Sequence, residues 1–252
     1  MSAGRGRGLT WRCVLAFGGG AAALVIALVS PLDALGGTLL SAHMAQHALL
    51  IAVTPPLLLL GRPGVAFAWA LAGREPWRSL AHLGDRLSRP LPAAALHGAA
   101  LWVWHAPAAF DAALASPLLH AVKHVTFLGT ALLFWRAVLD ARTSRRAGPA
   151  LAAAFATLLH GGLLGGADHD GPRAPLHLVS HAYGIVGLTP LEDQQLAGLL
   201  MWVPLGTVYL GACLVLASRL VVPAADCPRD PAVRLAPARR GSIAGPRNRR
   251  RA

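Results

Sequence analysis

Residues 39–60 read LLSAHMAQHALLIAVTPPLLLL, and this stretch decides the fold. It contains no aspartate, glutamate, lysine or arginine. About 20 predominantly apolar residues in helical form cross the hydrocarbon core of a bilayer. Apart from Thr54, its polar side chains gather at one end: Ser41, His43, Gln46 and His47. His43 and His47 are four residues apart, which puts both imidazoles on one helical face. An ionisable group at membrane depth is costly and faces a bundle interior or a cavity rather than lipid. Further along, Pro55-Pro56 predicts a kink, because proline removes a backbone donor and clashes with the preceding turn.

Stretches of the same kind recur. Six are expected to span, at roughly 12–30, 39–60, 90–108, 118–139, 148–166 and 194–218. The third and fifth carry the weakest signal, interrupted by His97 and by a Gly-rich run respectively. Hydrophobic residues make up 55% of the 252 and charged residues 13%, against about 25% charged in soluble domains. No ten-residue alternation of the kind that marks a transmembrane barrel occurs. The expected fold is therefore all-α: a polytopic transmembrane helix bundle of about six helices. The first segment reads as a retained helix, because no small-residue cleavage site follows it before Ser30-Pro31-Leu32-Asp33.

All the lysines and arginines except Lys123 and Arg173 fall at one side of such a bundle. The positive-inside rule then places both termini in the cytoplasm, in a cell inner (plasma) membrane. Three regions follow: a basic N-tail at 1–10, the six-helix domain at 11–220 and a basic C-tail at 221–252, the tails unstructured on composition. A short amphipathic stretch at 77–83 is expected to lie on the membrane surface. The net charge of +12 reads as topology and contact with anionic headgroups of the lipid bilayer, not as nucleic-acid binding. Cys13, Cys213 and Cys227 form no C-x-x-C motif, which argues against a thiolate metal site or a disulfide framework.

Nine of the eleven histidines lie at or near the end opposite the arginines: His43, His47, His105, His120, His124, His160, His169, His177 and His181. His120 and His124 repeat the one-turn spacing of His43 and His47. Neutral imidazole is the commonest metal ligand among side chains, and Met44 adds a thioether that suits Cu(I). The candidate copper ligands are His43, His47, His105, His120, His124, His160 and Met44. The two i,i+4 pairs are expected to converge, with His105 beside them. Lys123, between His120 and His124, either repels a cation or snorkels to the surface. Asp111 is placed to orient an imidazole.

Trp102 and Trp104 fit an interfacial aromatic belt, and Pro107 ends the third helix. Leu188–Gly198 reads as a loop entering the sixth helix, with Thr189 or Asp193 as its cap. Pro204 predicts a kink in that helix. There is no phosphate-binding glycine loop, no Gly-x-Ser-x-Gly and no His-Glu-x-x-His, so the chain is not read as an enzyme. Facing histidines leave a membrane haem-binding electron-transfer protein as the alternative function. A transporter ranks last, since no inverted repeat or pair of broken helices marks a midplane site.

Taken together the motifs resemble the CtaG family of integral-membrane assembly factors for caa3-type cytochrome c oxidase. The matching stretches are Ser30-Pro31-Leu32-Asp33, Ser41–His47 with Pro55-Pro56-Leu57 and Gly61-Arg62-Pro63, and Trp104-His105-Ala106-Pro107 with Phe110–Leu114. They continue through Leu119–His124 with Phe134-Trp135, Gly162–Gly165, and the long run Gly187–Pro204. The resemblance covers about residues 30 to 215. The outer loop after the fifth helix departs from the family pattern and carries His169, His177 and His181. The resemblance implies a role in maturing the oxidase through contact with cytochrome c oxidase subunits, and the supply or positioning of copper on the extracytoplasmic side.

Overall fold

A computed structural model describes residues 10–61, 83–170 and 187–221. The side chains of 144 and 167–170 fall outside that description, as do the two tails, most of the amphipathic stretch, His177 and His181. Among the described residues the chain is helical and has no strand. Among the described residues the bounded α-helices are, in order, α1 (Trp11–Val29), α2 (Pro31–Gly36), α3 (Leu40–Ala48), α4 (Thr54–Leu60), α5 (Pro90–His105), α6 (Pro107–Ala115), α7 (Pro117–Leu139), α8 (Ser144–Asp170) and α9 (Pro190–Val221). Among the described residues, five helical runs are long and apolar enough to cross a membrane: α1, Leu40–Leu60, α7, Arg145–Gly166 and α9. The protein is a helical membrane bundle.

The expected third span, 90–108, is shorter than its sequence suggested. Its helix, α5, has 16 residues and is about 24 Å long at 1.5 Å per residue. Pro107 sets the limit: the residue before a proline is pushed to extended conformation, and Ala106 has φ −63° and ψ 133°. The chain re-enters helix at once, with Pro107 at the start of α6.

The expected kink at Pro55-Pro56 takes a different form. Between α3 and α4 the residues Leu49–Val53 form a π-helical turn, so Leu40–Leu60 is one continuous rod with a wider turn in its middle. Neither Pro55 nor Pro56 can donate to the carbonyls four and five residues back, which leaves Ile51 O without a helical partner. The indole N–H of Trp135, on α7, donates to Ile51 O at 2.8 Å. Such a substitution is what makes a broken backbone ladder tolerable at membrane depth.

Packing follows the small residues. α1 lies along α4, where a Cβ on Gly20 would sit 2.8 Å from Leu58 N. α8 lies along α9, where a Cβ on Gly165 would come within 3.1 Å of Trp202 N. In a bilayer, such close backbone approach replaces the hydrophobic drive that packs helices in water. α5 sits between α7 and α8, and α9 also borders α3. The apolar core formed by these contacts includes Met44, Ile51, Leu101, Phe127, Phe134, Met201 and Leu205. Lipid-facing positions such as Val14, Val125, Leu163 and Leu214 are exposed.

The register of α3 comes from across the bundle. Asp193, in the first turn of α9, accepts hydrogen bonds from Leu40 N at 2.8 Å and Ser41 N at 3.0 Å. It also takes the Ser41 hydroxyl. The expected role of Asp193 as a cap of its own helix is corrected: it caps α3. Thr189 caps α9, with Glu192 Oε2 accepting from Thr189 N at 2.7 Å and Glu192 N donating to Thr189 Oγ1 at 3.3 Å. This is the reciprocal capping box. Gln46 ties α3 back to the first two helices, its amide nitrogen donating to Ala27 O and to Asp33 Oδ1, each at 2.7 Å.

Candidate functional site

Helix ends place the histidines. α3 starts at Leu40, so His43 and His47 occupy its first two turns. α5 stops at His105. α7 starts at Pro117 after Ser116, whose hydroxyl accepts from Leu119 N at 3.4 Å, so His120 and His124 follow in its first two turns. Three helix termini therefore meet at one level, and the cluster forms there.

Five of the residues expected from sequence come together. The ring centroids of His43 and His47 are 4.3 Å apart, and those of His120 and His124 are 4.4 Å apart. Across the interface, His43 is 5.5 Å from His120 and His47 is 5.8 Å from His124. His105 joins at 5.8 Å from His47. Phe127 closes the inner side, 4.8 Å from His47 and stacked under His105 at 6.0 Å. His43, His47 and His124 are buried, whereas His120 is only partly so.

The remaining two expected ligands stand apart. Met44 is buried in the apolar core. His160 lies against Gly98, where a Cβ would be 3.2 Å from its Nε2. Gly98 is about two turns below His105 on α5, so His160 belongs to a deeper layer. His169 falls in the last turn of α8.

Hydrogen bonds fix the proton positions on two of the rings. His43 Nδ1 is 3.1 Å from Gly36 O. A carbonyl only accepts, so Nδ1 carries the proton and Nε2 is an acceptor. Lys123 Nζ donates to that Nε2 at 2.7 Å. Lys123 is fully buried, so it does not snorkel; its head lies 5.4 Å from the centre of the Phe110 ring. By the same argument His105 Nδ1 donates to Leu101 O at 2.7 Å, leaving a bare lone pair on Nε2. Asp111 is exposed on α6 and makes no such bond; backbone carbonyls orient the rings instead.

What remains is a set of buried nitrogens with no hydrogen-bond partner: Nδ1 and Nε2 of His47, Nε2 of His105 and Nε2 of His124. Buried polar atoms are nearly always satisfied, so each exception asks for an explanation. Bare imidazole nitrogens are what a metal ion takes. With metal–nitrogen bonds of about 2 Å, two ligand rings on one ion have centroids roughly 5–6 Å apart. The 5.8 Å spacings from His47 to His105 and His124 match that. No group of three or more His, Cys, Asp or Glu side chains among the described residues is already set to hold an ion, so ligation requires these rings to turn towards a common point.

Beneath the cluster lies a polar knot that sequence reasoning missed, having taken His97 only as an interruption. His97 Nδ1 is 3.1 Å from Thr130 Oγ1 and Nε2 is 3.2 Å from the Tyr209 hydroxyl. The Thr130 hydroxyl proton is committed to Thr126 O at 2.7 Å. It therefore accepts from His97 Nδ1–H, and Nε2 accepts from Tyr209. Trp135 stacks on Tyr209 at 5.6 Å with the rings 8° from parallel. The available signal was His97, Thr130 and Tyr209, polar side chains in the middle stretches of three expected spans.

A family model described as cytochrome c oxidase caa3 assembly factor matches residues 2–222 of this chain. No curated protein and no solved structure matches it.

Proposed function

Because the chain belongs to the cytochrome c oxidase caa3 assembly factor family, we propose that it takes up copper at the histidine cluster on the extracytoplasmic side and presents it to the oxidase during assembly. The observation that carries this reading is the set of bare, buried nitrogens on His47, His105 and His124, gathered by three helix ends. All the ligands are neutral, and imidazole is a good donor to copper. Copper is the cargo here, so the protein has no catalytic step to perform, and we read it as an assembly factor rather than an enzyme. The extracytoplasmic placement rests on charge: the opposite ends of α5, α7 and α8 carry Arg89, Arg136, Arg145 and Arg146, and basic loops stay in the cytoplasm.

The test pairs two readouts. The purified protein, loaded with Cu(I) under reducing conditions, is expected to retain copper by elemental analysis, and the His43→Ala/His47→Ala variant to lose it. The same variant in its host is expected to insert in the membrane normally while the caa3 oxidase lacks copper. Unchanged copper retention together with a fully loaded oxidase in that variant would overturn the proposal.

A further inference from the structure

At the end of the bundle opposite the histidines, α5 begins, α7 finishes and α8 begins around a crevice of about 540 Å³. Its lining includes Arg89, Arg136, Arg145 and Arg146 against Asp85 and Asp140. Four arginines and two aspartates leave two positive charges in excess. Both carboxylates are spent on one arginine: Arg136 bonds Asp85, and its Nε is 3.7 Å from Asp140. Arg89, Arg145 and Arg146 form no ion pair among the described residues. Ser88, also in the lining, buries a hydroxyl that has no hydrogen-bond partner.

The helix directions make the excess worse. Arg89 is the N-cap of α5, and Arg145 and Arg146 sit in the first turn of α8. A helix N-terminus carries partial positive charge and favours anions, so basic residues there are misplaced. Neither first turn holds an acidic residue to compensate. Unpaired guanidinium groups lining one crevice raise its positive potential and favour an anion there. Guanidinium groups meet phosphate oxygens in paired hydrogen bonds, stronger than neutral ones.

We propose that this crevice is a binding site for a phosphate-bearing anion held by Arg89, Arg145 and Arg146. Two sources share that chemistry. One is the headgroup of an acidic phospholipid, since basic pockets between transmembrane helices on the cytoplasmic side hold such headgroups. Leu91, next to Pro90 of the lining, exposes an apolar side chain beside the crevice. The other is a free phosphate compound from the adjoining aqueous phase. The site is independent of the histidine cluster and of copper.

The test is native mass spectrometry of the full-length, detergent-purified protein. Separate titrations use phosphatidylglycerol, cardiolipin, phosphatidylcholine and inorganic phosphate. The expected result is retention of an anionic probe over phosphatidylcholine, and a loss of about tenfold in Arg145→Gln/Arg146→Gln, since charge-assisted pairs are removed. Retention of the acidic lipids without competition by inorganic phosphate assigns the site to a headgroup. Competition by inorganic phosphate assigns it to a soluble ligand. Arg142→Gln removes a charge nearby but outside the crevice, and is expected to change nothing. Should the double variant not fold, Arg89→Gln carries the same expectation. Equal losses in Arg142→Gln and the crevice variants, or no preference of the unmodified protein for anions, would overturn the proposal.

Discussion

His43 and Lys123 decide what the histidine cluster can do as it stands. Lys123 donates to His43 Nε2 at 2.7 Å, which withdraws that nitrogen from the ligand set and leaves His47, His105 and His124 as the bare donors. A buried ammonium also opposes an incoming cation. Two unit charges roughly 8 Å apart repel by about 2 kcal/mol at an effective dielectric constant of about 20. Lys123→Met, which keeps the apolar stem and removes the charge, is therefore expected to tighten Cu(I) binding by about thirtyfold. Competition against a Cu(I) chelator measures this, and an unchanged or weaker affinity contradicts it. His105→Ala removes one of the bare nitrogens without touching the Lys123–His43 pair. It is expected to weaken copper binding while leaving the helix content seen by circular dichroism intact.

The elements are held by donors that reach between them. Ile51 O owes its partner to Trp135, on a different helix. Trp135→Phe keeps the ring and removes the N–H. It is expected to destabilise the protein by about 1–3 kcal/mol, the cost of stranding a buried carbonyl. Asp193 does for the start of the Leu40–Leu60 run what Trp135 does for its middle. Asp193→Ala is expected to cost about 1–2 kcal/mol, as loss of a helix cap does, and to weaken copper retention as well, because α3 carries His43 and His47. Unfolding titrated with SDS in mixed micelles reads both variants. A loss of copper without a loss of stability in Asp193→Ala would argue against the capping account.

For the whole molecule, two chemistries are segregated to opposite ends: imidazoles where α3 and α7 begin, arginines where α5 and α8 begin. The positive-inside rule turns that segregation into an orientation. In a variant with Cys13, Cys213 and Cys227 replaced, Leu118→Cys is expected to react with an impermeant maleimide added to cells whose periplasmic face is accessible. Leu118 is 73% exposed at the start of α7. Arg142→Cys, between α7 and α8, is expected to react only after the inner membrane is opened. The reverse pattern would invert the topology and move the histidine cluster to the cytoplasm.

Local chemistry along the chain specified the long helices and which residues share a face on each. Length and apolarity specify a span whatever its neighbours, because in hydrocarbon a helix must satisfy its own backbone. The observed helices lie close to the expected stretches, from Trp11–Val29 through Pro190–Val221. The i,i+4 spacing of His43 with His47 and of His120 with His124 made each pair legible in the same local way. Pairings between helices were not legible, because they depend on side chains far apart in sequence that meet only after packing. The tertiary structure alone decided that Asp193 caps α3, that Trp135 repairs the backbone at Ile51, and that Lys123 turns inward to His43. It alone placed His160 beside Gly98, one layer below the cluster. Periodicity gives the direction of a side chain around its own axis. Which partner stands there is set by how closely the backbones approach, and that closeness comes from Gly20 and Gly165 and the surfaces they meet.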